Sequence, residues 1–407
     1  MPAPDAPFPL WEASRHADPY PFYAELRRDR PVARATVPGR GAVWVVTRYA
    51  DVAALLKDPR FSNDRRGAGV PSPFFGGLPM PRALRTLSST MVGADDPRHA
   101  RLRGLVGRAF KPRRIAELES RIRAIATTLL DRAALDGGMD LIADFALPLP
   151  FTVIAELLGV PESHRAEFRR RVKGLMAVPR SIALRLAIWL PQLVRLVTFF
   201  ERLVALRRQT PDTGLISALI ALEKDGERLD GQDLVAMVFL LFFAGHETTV
   251  NLIGNGMLAL FDHPGEMARL RADPSLLPSA VEELLRFTNP VEAVAMRYTR
   301  EAVTLAGIEL PPRATVMALI SSANRDPEAF ADPDRLDLGR PDNRHLALGA
   351  GAHYCLGASL ARLEGRIAFE MLLERCPKLR LAVPREAVTW RDPGALRGVR
   401  MLPVSWT

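Results

Sequence analysis

The stretch that decides the fold is Leu348-Gly349-Ala350-Gly351-Ala352-His353-Tyr354-Cys355-Leu356-Gly357, a glycine-rich loop that carries one of the two cysteines of the chain. A helical pattern of apolar residues follows it at once, beginning at Leu360. Glycines let a backbone approach a flat ligand closely, and a thiolate is stabilised at a helix N-terminus. The loop therefore favours a thiolate offered to a metal, although a lone cysteine is more often a small buried apolar residue.

Two phosphate-binding interpretations of this loop fail. The dinucleotide fingerprint needs a third glycine where Tyr354 stands, and the phosphate loop needs a Gly-Lys-Ser/Thr sequence that is absent from the chain. A zinc site built on His345, His353 and Cys355 remains as a remote alternative, because no fourth ligand lies near them in the sequence.

The loop resembles the haem-thiolate signature of the cytochrome P450 family, Phe-Gly-x-Gly-x-His/Arg-x-Cys-x-Gly. The resemblance implies that Cys355 is the axial ligand of a haem iron and that Leu348, Gly349 and Gly357 lie against the haem. The chain departs from the signature at Leu348, where the family has phenylalanine. That departure bears on redox tuning and not on haem binding.

A second motif lies in a long, nearly all-apolar helix that the sequence predicts over 232–261, a pattern typical of a buried helix. Gly245 in a helix interior costs about 1 kcal/mol relative to alanine, and the acid Glu247 is costly to bury. These penalties indicate a site, although Glu247 on a polar stripe beside back-bonded threonines is the alternative. The zinc motif His-Glu-x-x-His is excluded because Val250 occupies the second histidine position.

With Ala244 included, this turn resembles the distal-helix motif of the same family, Ala/Gly-Gly-x-Asp/Glu-Thr-Thr/Ser. The resemblance implies that Ala244 and Gly245 open a groove for dioxygen. It also implies that Thr248 hydrogen-bonds the dioxygen and that Glu247 feeds protons from solvent.

Glu283 and Arg286 lie at i and i+3, a spacing that usually gives a solvated pair. Here they resemble the Glu-x-x-Arg of the family, which implies a buried ion pair that supports the cysteine loop. Its third partner would be Arg335 or Arg340.

Four basic residues resemble the haem-propionate ligands of the family. Histidine and arginine suit carboxylate recognition, and arginine binds it in a bidentate way. These residues are His99, Arg103, Arg297 and His353.

Composition bounds the class of protein. The chain has 407 residues and a formal net charge of +9, with arginine scattered rather than in runs, which indicates a basic surface patch. No nucleic-acid recognition motif is present. The N-terminus has no signal-peptide pattern, and the longest apolar run is shorter than a membrane span. We expect a soluble, cytoplasmic protein without a disulfide framework.

The patterns predict a mainly α fold with a small β-rich portion. The resemblance implies one cytochrome P450 domain over 1–407. In that fold, a triangular prism, the haem lies between the long central helix and the helix after the cysteine loop.

The resemblance implies a monooxygenase with haem b that inserts one oxygen atom of O2 into a C–H bond, by hydroxylation or epoxidation. The chain has no cysteine cluster for an iron–sulfur centre. A separate ferredoxin or flavodoxin with its reductase is therefore implied, steered by basic residues that include Arg362 and Arg366. We expect a monomer. A peroxide-driven peroxygenase and a non-catalytic haem sensor are the alternatives.

The candidate pocket residues are aliphatic, aromatic or small, which favours a lipophilic substrate such as a fatty acid, terpenoid, polyketide or drug-like molecule. Glu292 is the exception and is expected to be solvated. The pocket residues are Leu240, Phe243, Ala244, Val291, Val294, Ala295 and Leu396.

Overall fold

The computed structural model describes residues 7–70, 81–88, 90–110, 115–176, 182–223, 231–294 and 296–406. Most of the regular structure in these ranges is helical. The α-helices are α1 Tyr20–Asp29, α2 Tyr49–Leu55, α3 Arg82–Ser88, α4 Arg98–Ala109, α5 Glu119–Ala134, α6 Pro148–Leu158, α7 Glu162–Met176, α8 Ile182–Gln209, α9 Leu215–Glu223, α10 Gly231–Asp262, α11 Pro264–Ala272, α12 Leu277–Thr288, α13 Ile320–Ala323 and α14 Ala358–Arg375.

The strands are short. They are β1 Phe8–Pro9, β2 Val32–Val37, β3 Gly41–Val46, β4 Phe61–Ser62, β5 Gly138–Asp140, β6 Arg297–Thr299, β7 Val303–Leu305, β8 Ile308–Leu310, β9 Thr315–Ala318, β10 Arg380–Leu381 and β11 Pro403–Ser405. They form a six-stranded sheet in the order β1-β2-β3-β9-β6-β4, a three-stranded sheet β10-β11-β5 and the hairpin β7-β8. The predicted mainly α fold with a small β portion is confirmed.

The chain divides into two compact units. Unit 1 holds Met1–Phe74, Pro112–Pro150 and Glu247–Thr407, and unit 2 holds Phe75–Lys111 and Phe151–His246. Every strand named above lies in unit 1, and the boundary inside α10 follows His246. The single domain over 1–407 stays a prediction.

In unit 1 the second half of α10 packs against α14 through glycines. A Cβ added at Gly256 would lie 2.6 Å from the ring of Phe369, and one added at Gly365 would lie 3.0 Å from Leu252. Distances this short leave no room for a side chain. The two glycines therefore bring the central helix and the helix after the cysteine loop close together.

Unit 2 has an aromatic core centred on Phe168. Its ring stacks on Phe199 at 5.2 Å between centroids and meets Phe242 edge-on at 4.6 Å. Phe242 in turn stacks on His246 at 4.4 Å. Aromatic pairs of this kind add to the free energy gained by burial, so the histidine of the Gly-His-Glu-Thr-Thr motif belongs to this core.

The sequence from Asp51 to Leu56 predicts a short helix capped by Asp51. That cap is wrong, because α2 begins two residues earlier, at Tyr49, with Arg48 at its N-cap and no side-chain cap. The helix α3 lies within residues 62–93, the least regular part of the sequence. A short helix in a Gly- and Pro-rich context leaves little periodic signal in the sequence.

Within the described part of the chain, two segments are long and apolar enough to cross a membrane, judged by length and composition alone: Leu141–Leu158 and Gly231–Asp262. The second extends well beyond the apolar run from which we expected no span. More than half of each segment is buried inside the protein. A buried core helix meets the same length and composition criteria, so these segments indicate a membrane only weakly.

Replacing Phe168 by alanine tests the aromatic core. Phe168 is fully buried, so the cavity is expected to lower the free energy of unfolding by about 3–5 kcal/mol. Leu135→Ala is the control, because Leu135 is 87% exposed, and a change below about 0.5 kcal/mol is expected there. Urea unfolding followed by circular dichroism measures both. Equal losses in the two variants would contradict the role given to Phe168.

Candidate active site

The cysteine loop in unit 1 is shaped by glycines with left-handed backbone. Gly349 has φ of 75° and Gly351 has φ of 69°, a region open mainly to glycine. A Cβ added at Gly351 would lie 2.8 Å from the carbonyl oxygen of Leu56. The Cys355 N–H donates to the Leu348 carbonyl at 2.8 Å, which closes the loop just before α14.

The loop leaves the thiol accessible at a helix N-terminus. Cys355 is half-buried and in no disulfide, and Gly357 is the N-cap residue of α14. A Cβ added at Gly357 would meet no atom within 4 Å, so the backbone there is open to a flat group. Leu348 at the start of the loop is buried.

The donor set fits haem. Within the described ranges no three His, Cys, Asp or Glu side chains are grouped so as to hold a metal ion. A single thiol then suits a metal whose other ligands come from its own cofactor, as haem provides. It does not suit zinc, which takes several protein ligands.

His345 is not a metal ligand but part of a brace on the loop. The Ala347 N–H donates to its Nδ1 at 3.2 Å, so Nε2 carries the ring proton and faces Glu282 Oε2 at 3.1 Å. Arg362 holds the same carboxylate at 2.6 and 2.8 Å and donates to the Tyr354 hydroxyl at 3.1 Å. Despite its burial, these partners hold the pKa of Glu282 down to about 2. The zinc alternative on His345, His353 and Cys355 is wrong.

Glu283 and Arg286 form the buried pair that the sequence indicated. Both side chains are 0% exposed, and their bonds are 2.7 and 2.8 Å long. The third side chain is Arg340, whose Nε lies 3.1 Å from Glu283 Oε1. Arg335 contributes only its carbonyl oxygen, which accepts from Arg286 at 3.3 Å.

The pair is also tied to the chain that leads into the cysteine loop. Glu283 accepts from the Asp337 N–H at 3.0 Å and from the Asn343 side chain at 3.1 Å. Arg286 donates to the carbonyl oxygens of Asn324 at 2.9 Å and Pro333 at 2.8 Å. Removing the charge of Glu283 or of Arg286 therefore leaves its partner buried without the ion pair that two short hydrogen bonds now make, which destabilises the fold.

On the central helix, Glu247 and Thr248 lie in unit 1 at its boundary, and both are half-buried. Arg391 donates to Glu247 Oε1 at 2.9 Å. Burial raises the pKa of Glu247, and Arg391 opposes that rise. The acid is therefore paired, near solvent and placed next to the threonine.

A second acid, Glu364, lies on α14 and contacts the central helix at Thr249. Glu364 is 1% exposed and accepts from the Thr249 hydroxyl, and its Oε2 has no partner among the residues described. Burial raises its pKa to about 8. We did not single out this residue from the sequence. The signal was there, because Glu364 falls between Leu360 and Ile367 on the apolar face of the helix.

The four candidate propionate ligands are placed as follows. In unit 1, Arg297 lies buried on β6 and donates to Asn63 Oδ1, and His353 is half-buried in the cysteine loop. In unit 2, His99 and Arg103 share one face of α4, and His99 Nδ1 lies 3.3 Å from Asp96 Oδ1.

The candidate pocket residues of unit 1 form a backbone-bonded patch. Val291 pairs with Leu396 through a β-bridge, and both are half-buried, as is Val294. Ala295 lies outside the described residues. Glu292 was expected to be solvated, and that expectation is wrong: it is fully buried, accepts from the Tyr23 hydroxyl at 3.1 Å, and burial raises its pKa to about 7.

In unit 2 the candidate pocket residues share the accessible stripe of an otherwise buried helix. Leu240 and Phe243 are half-buried, Ala244 is exposed, and Gly245 is half-buried. Phe243 and Ala244 lie three and four residues after Leu240, a spacing that places these three residues on one face of the helix. A Cβ added at Gly245 would lie 3.2 Å from Ile154, so the glycine also allows close helix packing.

Comparison with known proteins gives the family. The chain is 43% identical over 393 residues to the cytochrome P450 monooxygenase PikC of Streptomyces venezuelae, covering 96% of this chain and 91% of that one. It belongs to the cytochrome P450 family. The family model named Cytochrome P450 matches residues 194–379.

A second relative and a solved structure agree. The vitamin D(3) 25-hydroxylase of Pseudonocardia autotrophica is 42% identical over 401 residues, with 97% of this chain and 96% of that one covered. The crystal structure of myxobacterial cytochrome P450 CYP267B1 in complex with myristic acid matches with a TM-score of 0.91 and 41% identity, covering 98% of each chain.

This cytochrome P450 is thus a bacterial haem-thiolate monooxygenase with the P450 fold and haem as its cofactor. Its relatives are named as monooxygenases and hydroxylases. The peroxygenase and sensor alternatives are not favoured.

Glu283→Gln tests the buried pair. The change removes a charge from a fully buried site and is expected to lower the free energy of unfolding by about 3–5 kcal/mol. The control is Asp392→Asn, which breaks a pair with Arg400 whose side chains are both 53% exposed, for which less than about 1 kcal/mol is expected. Urea unfolding compares the two, and a loss in Glu283→Gln as small as in the control would contradict the analysis.

Glu364→Gln tests the second acid through pH. Because the pKa of Glu364 rises from 4.5 to about 8 on folding, its contribution to stability is full below 4.5 and is lost as pH rises through 8. The variant stays neutral, so its stability relative to the wild type should grow by on the order of 5 kcal/mol towards pH 9.

Thermal unfolding of the haem-loaded protein across that pH range measures the effect. The control is Glu374→Gln, which changes an exposed acid of the same helix. Parallel curves for the wild type and Glu364→Gln would show that the acid is ionised throughout.

Proposed function

We propose that Cys355 holds the haem through its thiolate and that the enzyme hydroxylates a lipophilic compound. The observation that carries the proposal is the single accessible thiol at the start of α14, a helix that packs through Gly365 and Phe369 against the half of α10 that bears Glu247 and Thr248. When bound, the haem supplies the activation of dioxygen. The remaining work falls to the side chains around it.

The loop positions the sulfur. The left-handed turns at Gly349 and Gly351 and the bond from Cys355 N–H to the Leu348 carbonyl fix its path. Leu348 supplies an apolar surface, and Gly357 lets the backbone lie flat against the cofactor. The helix N-terminus favours the thiolate over the thiol.

Glu247 and Thr248 would deliver protons to dioxygen. Glu247 is only 16% exposed in its side chain but reaches solvent beside Arg391. Burial raises the pKa of Glu247, which brings it closer to the pH at which an acid can both give up and regain a proton. Ala244 and Gly245 precede this turn and add little bulk, as a groove for a small molecule needs.

The basic residues would hold the propionates. Arg297 is buried on β6, and its guanidinium has the planar geometry that binds a carboxylate through two hydrogen bonds, and His353 lies two residues before the thiol. In unit 2, His99 and Arg103 share a helix face, as a clamp for a carboxylate requires. These assignments stay predictions.

The substrate would be largely hydrocarbon. Val291, Val294 and Leu396 are aliphatic, and the one acid among them, Glu292, is buried away on Tyr23. One relative is named for the hydroxylation of vitamin D(3), and a solved relative was crystallised with myristic acid. Both molecules are mostly apolar, as the patch requires.

Electrons would come from a separate ferredoxin or flavodoxin with its reductase. Two of the arginines first considered for docking are already engaged: Arg362 with Glu282 at 2.6 Å, and Arg366 with Glu119 at 2.9 Å. Steering by these two would be weaker than a free charge gives. A monomeric protein of the cytoplasm, acting as one domain, completes the proposal.

The absorption spectrum of the reduced protein under carbon monoxide tests the proposal. A band far to the red of histidine-ligated haem is expected for the wild type, and its loss is expected in Cys355→Ser, because a hydroxyl does not replace the thiolate. Cys376→Ser is the matched control, since Cys376 is a buried thiol at the end of α14. An unshifted band in the wild type would overturn the assignment.

A further inference from the structure

A polar seam runs along the central helix where its second half meets the C-terminal part of the chain. Glu247, Asn251 and Asn255 are spaced by four residues and so lie on one face. Asn251 and Asn255 are buried. Three polar residues in line on a mostly apolar helix need partners where they are buried.

One hairpin supplies those partners. Trp390 and Val399 pair through an antiparallel bridge, and the Arg391 N–H donates to the Gly398 carbonyl at 2.9 Å. We call residues 390–399 the C-terminal hairpin. Its tip carries Ala395 and Leu396.

The hairpin is fixed to the helix at three points of the seam. Asn255 donates to the Arg397 carbonyl at 2.8 Å and accepts from the Val399 N–H at 3.2 Å. Gly398 packs directly on Asn251, because an added Cβ would lie 2.0 Å from Asn251 Oδ1. The third point is the ion pair of Arg391 with Glu247.

The tip of the same hairpin is bonded to the candidate pocket wall. Leu396 pairs with Val291, the Glu292 N–H donates to the Ala395 carbonyl at 2.8 Å, and the Arg397 N–H donates to the Pro290 carbonyl at 3.1 Å. The C-terminal hairpin therefore carries Arg391 near its open end and Leu396, a candidate substrate contact, at its tip.

The ion pair is shielded from solvent. The side chains of Arg391 and Glu247 are 28% and 16% exposed, so salt screens their attraction less than that of a surface pair. Arg391 is the charged group that opposes the effect of burial on the pKa of Glu247. Without Arg391 that pKa would rise further.

We propose that Arg391 is a positioning residue of the reaction, which holds the Glu247 carboxylate in place and favours its ionised form. Because Arg391 and Leu396 belong to the same hairpin, it also couples proton delivery by Glu247 to a substrate in contact with Leu396. This inference rests on the proposed function of Glu247. Arg391 touches neither substrate nor cofactor in this account and acts through the acid alone.

Arg391→Gln is the test, in the haem-loaded enzyme supplied with a surrogate ferredoxin and its reductase and with myristic acid as the probe. The acid limb of the rate profile is expected to move to higher pH, because Glu247 must be ionised to accept a proton and now does so at higher pH. The fraction of electrons recovered as product is expected to fall several-fold, with hydrogen peroxide rising to match.

A readout besides activity is the dissociation constant of the probe, followed by the shift of the haem absorption band. It should depend on pH more steeply in the wild type than in Glu247→Gln, where only the carboxyl group of the probe and the other titrating groups of the protein contribute. The double variant Glu247→Gln with Arg391→Gln should behave like Glu247→Gln alone, since Arg391 acts on the reaction only through Glu247.

Two further variants keep the test decisive. Arg391→Lys retains the charge without the planar fork and should show the same shift in smaller degree, which serves if Arg391→Gln does not fold. Arg400→Gln removes the exposed arginine next to the hairpin and should leave profile and product fraction as in the wild type.

The outcomes distinguish a failure of the role of Arg391 from a failure of the proposed function. A shifted carbon monoxide band together with an Arg391→Gln profile equal to that of Arg400→Gln would overturn the role of Arg391 alone. An unshifted band in the wild type would overturn the proposed function and the role of Arg391 with it.

Discussion

The buried carboxylate of Glu283 is the constraint on which the thiol side of the protein depends. A charge without exposure must be matched by several donors, and Glu283 draws them from Arg286, Arg340, the Asp337 backbone and Asn343. Because these donors span the chain that leads into the cysteine loop, satisfying one carboxylate fixes the path of a long irregular segment. The loop then needs few bonds of its own.

In the same unit, the contact between the central helix and α14 depends on two glycines and brings two acids near the threonines. Gly256 and Gly365 allow the two helices to approach. Glu247 directly precedes Thr248 and Thr249 on the central helix, and Glu364 of α14 accepts from the Thr249 hydroxyl. Glu247 is paired with Arg391 near solvent, whereas Glu364 is buried and its pKa is raised to about 8. The two acids therefore differ in their surroundings, which is what sets the pKa of a carboxyl group.

The sequence predicted the residues of the candidate site better than the residues that hold them in place. The cysteine loop, the threonine turn and the Glu283–Arg286 pair were visible because each combines costly residues at fixed spacing. Arg340 could not be chosen over Arg335, and Glu364 and Arg391 were not assigned, because their partners are remote in the chain and a remote partner leaves no local pattern. Glu292 was misjudged for the same reason: Tyr23, which donates a hydrogen bond to it, lies at the far end of the sequence.

The way the pocket wall is bonded has a consequence for how this enzyme can diversify. Val291 and Leu396 are joined through their backbones, and Glu292 and Ala395 share a main-chain bond. The side chains of Val291 and Leu396, which we propose to face a substrate, therefore take no part in these bonds. On that proposal, exchange of single apolar residues at these two positions would change substrate selectivity while leaving the backbone bonds, and the hairpin that carries Arg391, in place.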